Sequence, residues 1–83
     1  PIRLNVKKIR DKEAYILLRK KKKIKSNYYF LSKKGDLKEA ARNLYNILRK
    51  IKKDKYSSIA VCKIPNMGLG KTINDRLIRA SKF

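Results

Sequence analysis

An amphipathic stretch in the middle of the chain restricts the folds open to it. Apolar side chains recur there at intervals of three or four residues, at Leu37, Ala40, Ala41, Leu44, Tyr45, Leu48 and Ile51. This spacing places them on one side of an α-helix. Asp36 and Glu39 have the spacing of a capping pair at a helix start. The sequence therefore predicts a helix over residues 36–53 whose apolar side must pack against other elements.

Three apolar segments have the character of β-strands. Residues 2–7 alternate between apolar and polar side chains, which suits a strand with one buried face. Residues 28–31 are bulky and mainly aromatic, as is common in strands. Residues 58–64 form a further apolar run, which ends at Pro65 because proline has no N–H to donate to a sheet.

Two more helices are predicted from caps and spacing. Asp11 is placed to cap a short helix, which ends in the basic run 19–25 and carries Ala14, Tyr15, Leu17 and Leu18. The last helix has on one side Leu69, Ile73, Leu77 and Ala80. Strand and helix thus alternate three times, which is the pattern of parallel strands joined by helical crossovers. The expected fold is α/β, a small three-layer Rossmann-like domain with three mainly parallel strands and three helices.

The size and charge of the chain limit its class. Its 83 residues suffice for one small domain with a thin core. The net charge of +19 points either to nucleic acid or an anionic membrane surface, or to a solvated surface rich in lysine. The apolar runs are too short to span a membrane and no signal peptide is visible, so a cytoplasmic protein is expected.

The residue types present exclude several kinds of chemistry. The chain has no histidine and one cysteine, Cys62, so Cys–His nucleophiles, closed zinc sites and a disulfide framework are excluded within it. Cys62 lies in an apolar run and is predicted to be a buried, inert thiol. We therefore predict no metal site.

The sequence Gly70-Lys71-Thr72 suggests a phosphate-binding loop, but the rest of that motif is missing. A Walker-type loop needs a glycine five positions before Gly70, and Pro65 stands there. A dinucleotide loop needs a third glycine where Ile73 stands. The glycines are instead predicted to form a turn that starts the last helix. Lys71 and Arg76 are then expected to be exposed or ion-paired.

Two motifs in this order carry a family resemblance. Residues 31–44 read LSKKGDLKEAARNL, and residues 68–80, called here the signature segment, read GLGKTINDRLIRA. A strand and Pro65 lie between them. Over nearly its whole length the chain resembles the C-terminal domain of two-domain threonylcarbamoyl-AMP synthases.

The resemblance implies a function that depends on a second domain. In that family a YrdC-like N-terminal domain uses ATP, L-threonine and bicarbonate to make threonylcarbamoyl-AMP for modification of a tRNA adenosine. ATP and magnesium are implied for that parent enzyme and not for this chain. The chain begins at a proline just where the family's interdomain linker would end, so the catalytic domain and the linker are expected to lie outside it. The resemblance thus implies one accessory domain over residues 1–83, non-catalytic alone, with a YrdC-like catalytic domain as its partner.

The family's C-terminal signature transfers to this chain at eight positions, namely Gly68, Leu69, Gly70, Asn74, Asp75, Arg76, Leu77 and Arg79. These residues are expected to have a structural or domain-docking role. Asn74 is predicted to bond back to the turn, and Asp75 to pair with Arg79 one helical turn later. Acidic residues common in the family around the third strand and the turn are absent, and their places are taken by Cys62, Asn66 and Met67.

The alternative is a stand-alone basic module that binds RNA or tRNA. Its phosphate contacts would come from the run that includes Lys20, Lys21, Lys22 and Lys23, and from the basic side of the central helix. Tyr28 and Tyr29 would be available to stack on bases.

Overall fold

The computed structural model describes residues 2–81, which form four strands and two helices. The strands are β1 (Ile2–Arg3), β2 (Ala14–Arg19), β3 (Tyr28–Ser32) and β4 (Ile59–Val61). The helices are α1 (Leu37–Lys53) and α2 (Leu69–Ala80). Within this described range, neither helix is long and apolar enough to cross a membrane.

The four strands form one parallel sheet in the order β1-β4-β2-β3. The α/β class and the small parallel, Rossmann-like sheet are therefore confirmed. The numbers of elements differ from the prediction, which had three strands and three helices. The chain crosses from the β1 edge to β2, adds β3 at the opposite edge, and returns through α1 to insert β4 between β1 and β2.

The predicted short helix after Asp11 is wrong, because its apolar residues form β2. Ala14 and Ile16 belong to the core beneath the helices, whereas Tyr15 and Leu17 belong to a second cluster on the other face of the sheet. A central parallel strand buried on both faces has a continuous apolar run, which periodicity alone does not distinguish from a short helix. Asp11 lies in a turn before this strand.

Both helices pack on one face of the sheet, so the described residues form two layers of regular structure and not the expected three. Their shared core includes Leu44 and Ile51 from α1 and Ile73 and Leu77 from α2. On the other face, the segment between β1 and β2 supplies Val6 and Ile9 to the second cluster. The segment between β1 and β2 thus covers part of this face of the sheet, in place of the third helix that was predicted.

The predicted boundaries hold best where a local signal is strong. In α1 the side chain of Asp36 accepts a hydrogen bond from the Lys38 N–H at 3.1 Å, so Asp36 is confirmed as the cap. The reciprocal bond to Glu39 expected of a capping pair is not formed, because the Asp36 N–H donates to Ser32 Oγ at 3.0 Å. β1 is shorter than residues 2–7, because Asn5 has a φ of +56° and interrupts the extended backbone. The chain remains beside β4, where the Val6 N–H donates to the Val61 carbonyl oxygen at 2.8 Å.

Candidate functional site

The signature segment begins with a turn that needs both of its glycines, each for a different reason. Gly68 is the N-cap of α2 and has φ +54° and ψ −127°, a conformation open to glycine and costly for other residues. Gly70 is buried, and a Cβ atom there would lie 1.8 Å from the carbonyl oxygen of Pro65. The two glycines therefore let α2 start directly against the backbone that leaves β4.

Asn74 attaches the first turns of α2 to the end of the strand segment. Its Nδ2 donates to the carbonyl oxygen of Ile64 at 3.1 Å and to Oδ1 of Asn66 at 3.3 Å. The predicted bond from Asn74 back to the turn is confirmed. The Asn74 side chain thereby supplies a hydrogen-bond donor to the Ile64 carbonyl, which follows β4 and is not paired within the sheet.

The apolar side of α2 differs from the prediction at its first position. Ile73 and Leu77 are fully buried in the core, and Ala80 is half-buried. Leu69 is 44 % exposed, so its predicted place on the inward side is wrong. Gly70 takes the inward position because only a residue without a side chain fits beneath Pro65.

The charged residues of α2 lie on its exposed side. Asp75 pairs with Lys71, whose Nζ lies 3.2 Å from Oδ2, and both side chains are at least half exposed. The prediction that Asp75 pairs with Arg79 is wrong, because Asp75 is equally one turn from Lys71 and pairs there. Arg76 and Arg79 are exposed.

The loop before α2 does not have the geometry of a phosphate cradle. In such a loop the backbone amides point at the phosphate oxygens. Here the Gly70 N–H donates to the Met67 carbonyl at 3.0 Å, and the Thr72 N–H donates to the Gly68 carbonyl at 3.3 Å. These residues do not fit the phosphates of ATP.

A groove of about 530 Å³ lies beside the signature segment, at the carboxyl ends of β1 and β4. We call it the carboxyl-edge groove. Asn66, Asn74 and Ile78 line it on the α2 side, and Leu4, Lys7 and Lys63 are among its other lining residues. Ile78 is 43 % exposed and Met67, in the adjoining turn, is 76 % exposed. Ligands and partners of open parallel sheets commonly bind at this edge.

The basic run proposed for RNA lies on the surface. Lys20, Lys21, Lys22 and Lys23 are all exposed in the connection between β2 and β3. Tyr28 is half-buried, with its ring edge-on to Tyr15 at 5.5 Å between centroids. Tyr29 is buried and donates its hydroxyl to Asp54 Oδ2, so the expectation that it stacks on bases is wrong.

The most buried acidic residue of the domain, Glu13, was not predicted from the sequence to have a role. Glu13 is 1 % exposed, and its carboxylate accepts two bonds from Arg3, at 2.7 and 3.0 Å, and one from the Arg10 N–H at 2.9 Å. The hydrogen bonds from Arg3 hold the pKa of Glu13 below its usual value. No periodic signal links residues 3 and 13, because the contact depends on β1 and the turn before β2 meeting in space.

The single thiol is half-buried, and not buried as predicted. Its burial raises the pKa of Cys62, which disfavours the reactive thiolate, and its Sγ accepts a hydrogen bond from the Leu18 N–H with 3.4 Å between N and S. Among residues 2–81, no three histidine, cysteine or carboxylate side chains come close enough to hold a metal ion.

Comparison with known proteins places the chain in a family. The family model for the C-terminal domain of threonylcarbamoyl-AMP synthase matches residues 3–82, which includes both motifs of the sequence and every strand residue of the sheet except Ile2. Searches of curated proteins and of solved structures gave no match. The match covers nearly the full length of the chain, which therefore belongs to the threonylcarbamoyl-AMP synthase C-terminal domain family.

Proposed function

We propose that this chain is an accessory domain that acts by contact with a YrdC-like catalytic domain and does not form threonylcarbamoyl-AMP alone. The family match carries this proposal, because it assigns the chain to the C-terminal domain of a larger synthase of tRNA modification. ATP and magnesium then belong to the catalytic partner. A cytoplasmic location agrees with this role.

The way the signature segment uses its residues supports an architectural role. Gly70 seats α2 beneath Pro65, Asn74 fixes the helix to the Ile64 carbonyl, and Leu77 fills the core. These three residues are thus engaged in contacts within the domain. The surface that this framework presents is the carboxyl-edge groove with the exposed side chains of Met67 and Ile78. We infer that this is where the catalytic domain docks.

Two measurements test the proposal. Pyrophosphate release that depends on ATP and threonine should be absent with the chain alone and present with a YrdC-like domain. Titration calorimetry should detect binding of the chain to that domain. Ile78→Glu should weaken this binding by about fivefold or more, since a charge would enter an apolar contact.

Tyr45→Glu is the matched control. Tyr45 is 71 % exposed on α1 and does not line the carboxyl-edge groove, so its replacement should leave binding within about twofold. Pyrophosphate release by the chain alone would contradict the accessory role. Equal losses in the two variants would place docking elsewhere on the domain.

The second candidate function is binding of tRNA through the exposed lysines of the β2–β3 connection. The observation that favours it is that Lys20, Lys21, Lys22 and Lys23 are consecutive and all exposed. Binding through phosphates would release counterions, so the affinity for tRNA should fall steeply between about 50 and 200 mM salt.

Replacing those four lysines with glutamine should weaken tRNA binding by more than the same change at four lysines elsewhere. The control set, with the same net charge, is Lys7, Lys8, Lys53 and Lys63, all exposed. Equal effects of the two sets would mean non-specific attraction to the overall charge and would contradict a dedicated RNA site.

A further inference from the structure

The two edges of the sheet differ in how well they are protected. At one edge, β1 is only two residues long. At the other edge, β3 has five residues and pairs with β2 on one side only. Edge strands of this length present unpaired backbone groups, and natural proteins usually shorten, bend or cover them. β3 is therefore the edge strand that can pair with a further strand.

The register shows which backbone groups of β3 point outward. The Tyr15 N–H donates to the Asn27 carbonyl at 2.9 Å, which sets the phase of the parallel ladder. Backbone groups alternate in direction along a strand, so those of Tyr29 and Leu31 face β2 and those of Tyr28, Phe30 and Ser32 face away. The Tyr28 N–H is taken by the Lys25 carbonyl, and the Ser32 carbonyl by the Gly35 N–H. The C=O of Tyr28 and the N–H and C=O of Phe30 remain on the outer side, whereas Ser32 is only 2 % exposed and its N–H is not open to a partner.

These outward groups face a groove of about 610 Å³, which we call the β3 groove. One wall is α1, with Asn43, Ile47 and Lys50, and the other side includes Lys20 and Ile24 from the β2–β3 connection. Ile24 is 52 % exposed although it is apolar. The groove thus combines a strand edge with apolar side chains in its walls, which is what an added strand requires.

The charges around the β3 groove favour an acidic strand as its partner. Lys20, Lys33 and Lys50 line it, against one acid, Glu39. An acidic segment would be attracted both by these lysines and by the overall charge of +19. A second copy of the chain would meet repulsion from the same lysines. RNA is disfavoured because Tyr29 is buried and the groove offers amide and carbonyl groups at strand spacing.

We propose that the β3 groove binds an extended, acidic peptide segment of a partner protein, which adds to the sheet as a fifth strand beside β3. Backbone bonds to Phe30 and to the C=O of Tyr28 supply the affinity. Alternate apolar side chains of the peptide lie against Ile24 and Ile47, and its acidic residues meet Lys20, Lys33 and Lys50. This inference does not depend on the proposed accessory function. The β3 groove lies at the β3 edge of the sheet, whereas the carboxyl-edge groove lies beside β1 and β4.

The test uses a fluorescent peptide of about seven residues in which glutamate and valine alternate, a length close to that of an average strand. Anisotropy should show binding to the full chain. Amide hydrogen exchange followed by NMR should show new protection at Phe30, and little change at Tyr29 and Leu31, whose amides already face β2. A peptide N-methylated along one edge, which cannot form the ladder, should bind at least about tenfold more weakly.

The variant Lys50→Glu should weaken peptide binding by about three- to fivefold, as expected for loss and reversal of one exposed charge contact. Lys52→Glu is the matched control, because Lys52 is in the same last turn of α1 but does not line the β3 groove. Equal binding of the N-methylated peptide, or protection mapped away from Phe30, would overturn the proposal. So would protection of Phe30 by a uridine-rich RNA in preference to the peptide, or by concentration-dependent pairing of the chain with itself.

Discussion

At the scale of single residues, Gly70 makes the sharpest prediction. Gly70→Ala places a Cβ atom 1.8 Å from the Pro65 carbonyl oxygen, a contact that backbone atoms must move to relieve. We expect the free energy of unfolding to fall by about 3 kcal/mol, the upper part of the range for overpacking. Urea denaturation followed by circular dichroism measures this change. A domain of this size has about 5 kcal/mol or little more to lose, so about 2 kcal/mol should remain and the variant should still be mainly folded in buffer but unfold at a much lower urea concentration.

Lys71→Ala is the control for that experiment. It changes the neighbouring residue of the same helix and removes the exposed pair with Asp75. Because both partners are exposed, the loss should stay within about 0.5 kcal/mol. A destabilisation by Gly70→Ala no larger than this value would show that the turn can move away from Pro65 at little cost.

The ion pair between Arg3 and the buried Glu13 predicts a pH dependence. The pKa of Glu13 is lower in the folded protein than in the unfolded chain, mainly because of the hydrogen bonds from Arg3. A depressed carboxyl pKa contributes stability that is present above its unfolded value and is lost as pH falls through its folded value. Glu13→Gln should therefore destabilise the protein by about 1–3 kcal/mol at neutral pH.

The same difference should shrink in acid. Denaturant titrations of both proteins at about pH 7 and about pH 3, on either side of the usual glutamate pKa, measure it. The wild-type protein begins to lose the contribution of Glu13 once the pH falls below the usual glutamate pKa, whereas the glutamine variant has no carboxylate to protonate. A difference that stays constant or grows toward low pH would contradict the assigned role of this ion pair.

At the scale of elements, the attachment of α2 to β4 depends on one amide side chain. Asn74→Ala removes the bond to the Ile64 carbonyl and leaves that carbonyl without its partner. We expect a loss of about 1–2 kcal/mol, typical for a broken hydrogen bond with an unsatisfied group. Hydrogen exchange should report it as faster opening of α2 relative to α1. Equal acceleration in both helices would instead indicate that the domain opens as one unit.

The elements that sequence predicts well are those with a local signal. The apolar spacing of α1 and its Asp36 cap are local signals, and both are found in the structure. The exception is Tyr45, which was predicted on the apolar side but is 71 % exposed. The helix predicted over the residues of β2 is wrong, because the conformation of this apolar run depends on what packs against the two faces of the sheet. Ala14 through Leu17 are all buried, and only the packing of α1, α2 and Val6 on opposite faces explains that run.

The candidate site was predictable to a similar extent. The bond from Asn74 to the turn follows from the short distance along the chain, and it is present. The partner of Asp75 was not predictable, because Lys71 and Arg79 are one turn away on either side and spacing alone does not choose between them. The inward place of Gly70 depends on the path of Pro65, which no local pattern contains.

At the scale of the whole molecule, the dominant property is an unbalanced charge. The chain has 25 basic and 6 acidic residues, and among residues 2–81 two ion pairs form, Arg3–Glu13 and Lys71–Asp75. Most of the positive charge is therefore balanced by solvent ions and not by the protein. Self-repulsion of this kind destabilises the compact state and attracts anionic partners.

Added salt should therefore stabilise this domain. Raising NaCl from about 0.05 to about 0.5 M shortens the Debye length to less than half and screens the repulsion among lysines. If screening contributes about 1 kcal/mol, the melting temperature should rise by about 4–8 °C for a domain of this length. Replacing Lys20, Lys21, Lys22 and Lys23 with glutamine should raise the melting temperature at low salt and reduce its further rise with NaCl. An uncharged osmolyte at equal osmolality is the control, since it cannot screen charge. A melting temperature that falls with NaCl would mean that attraction within the two ion pairs outweighs the repulsion among the remaining cations.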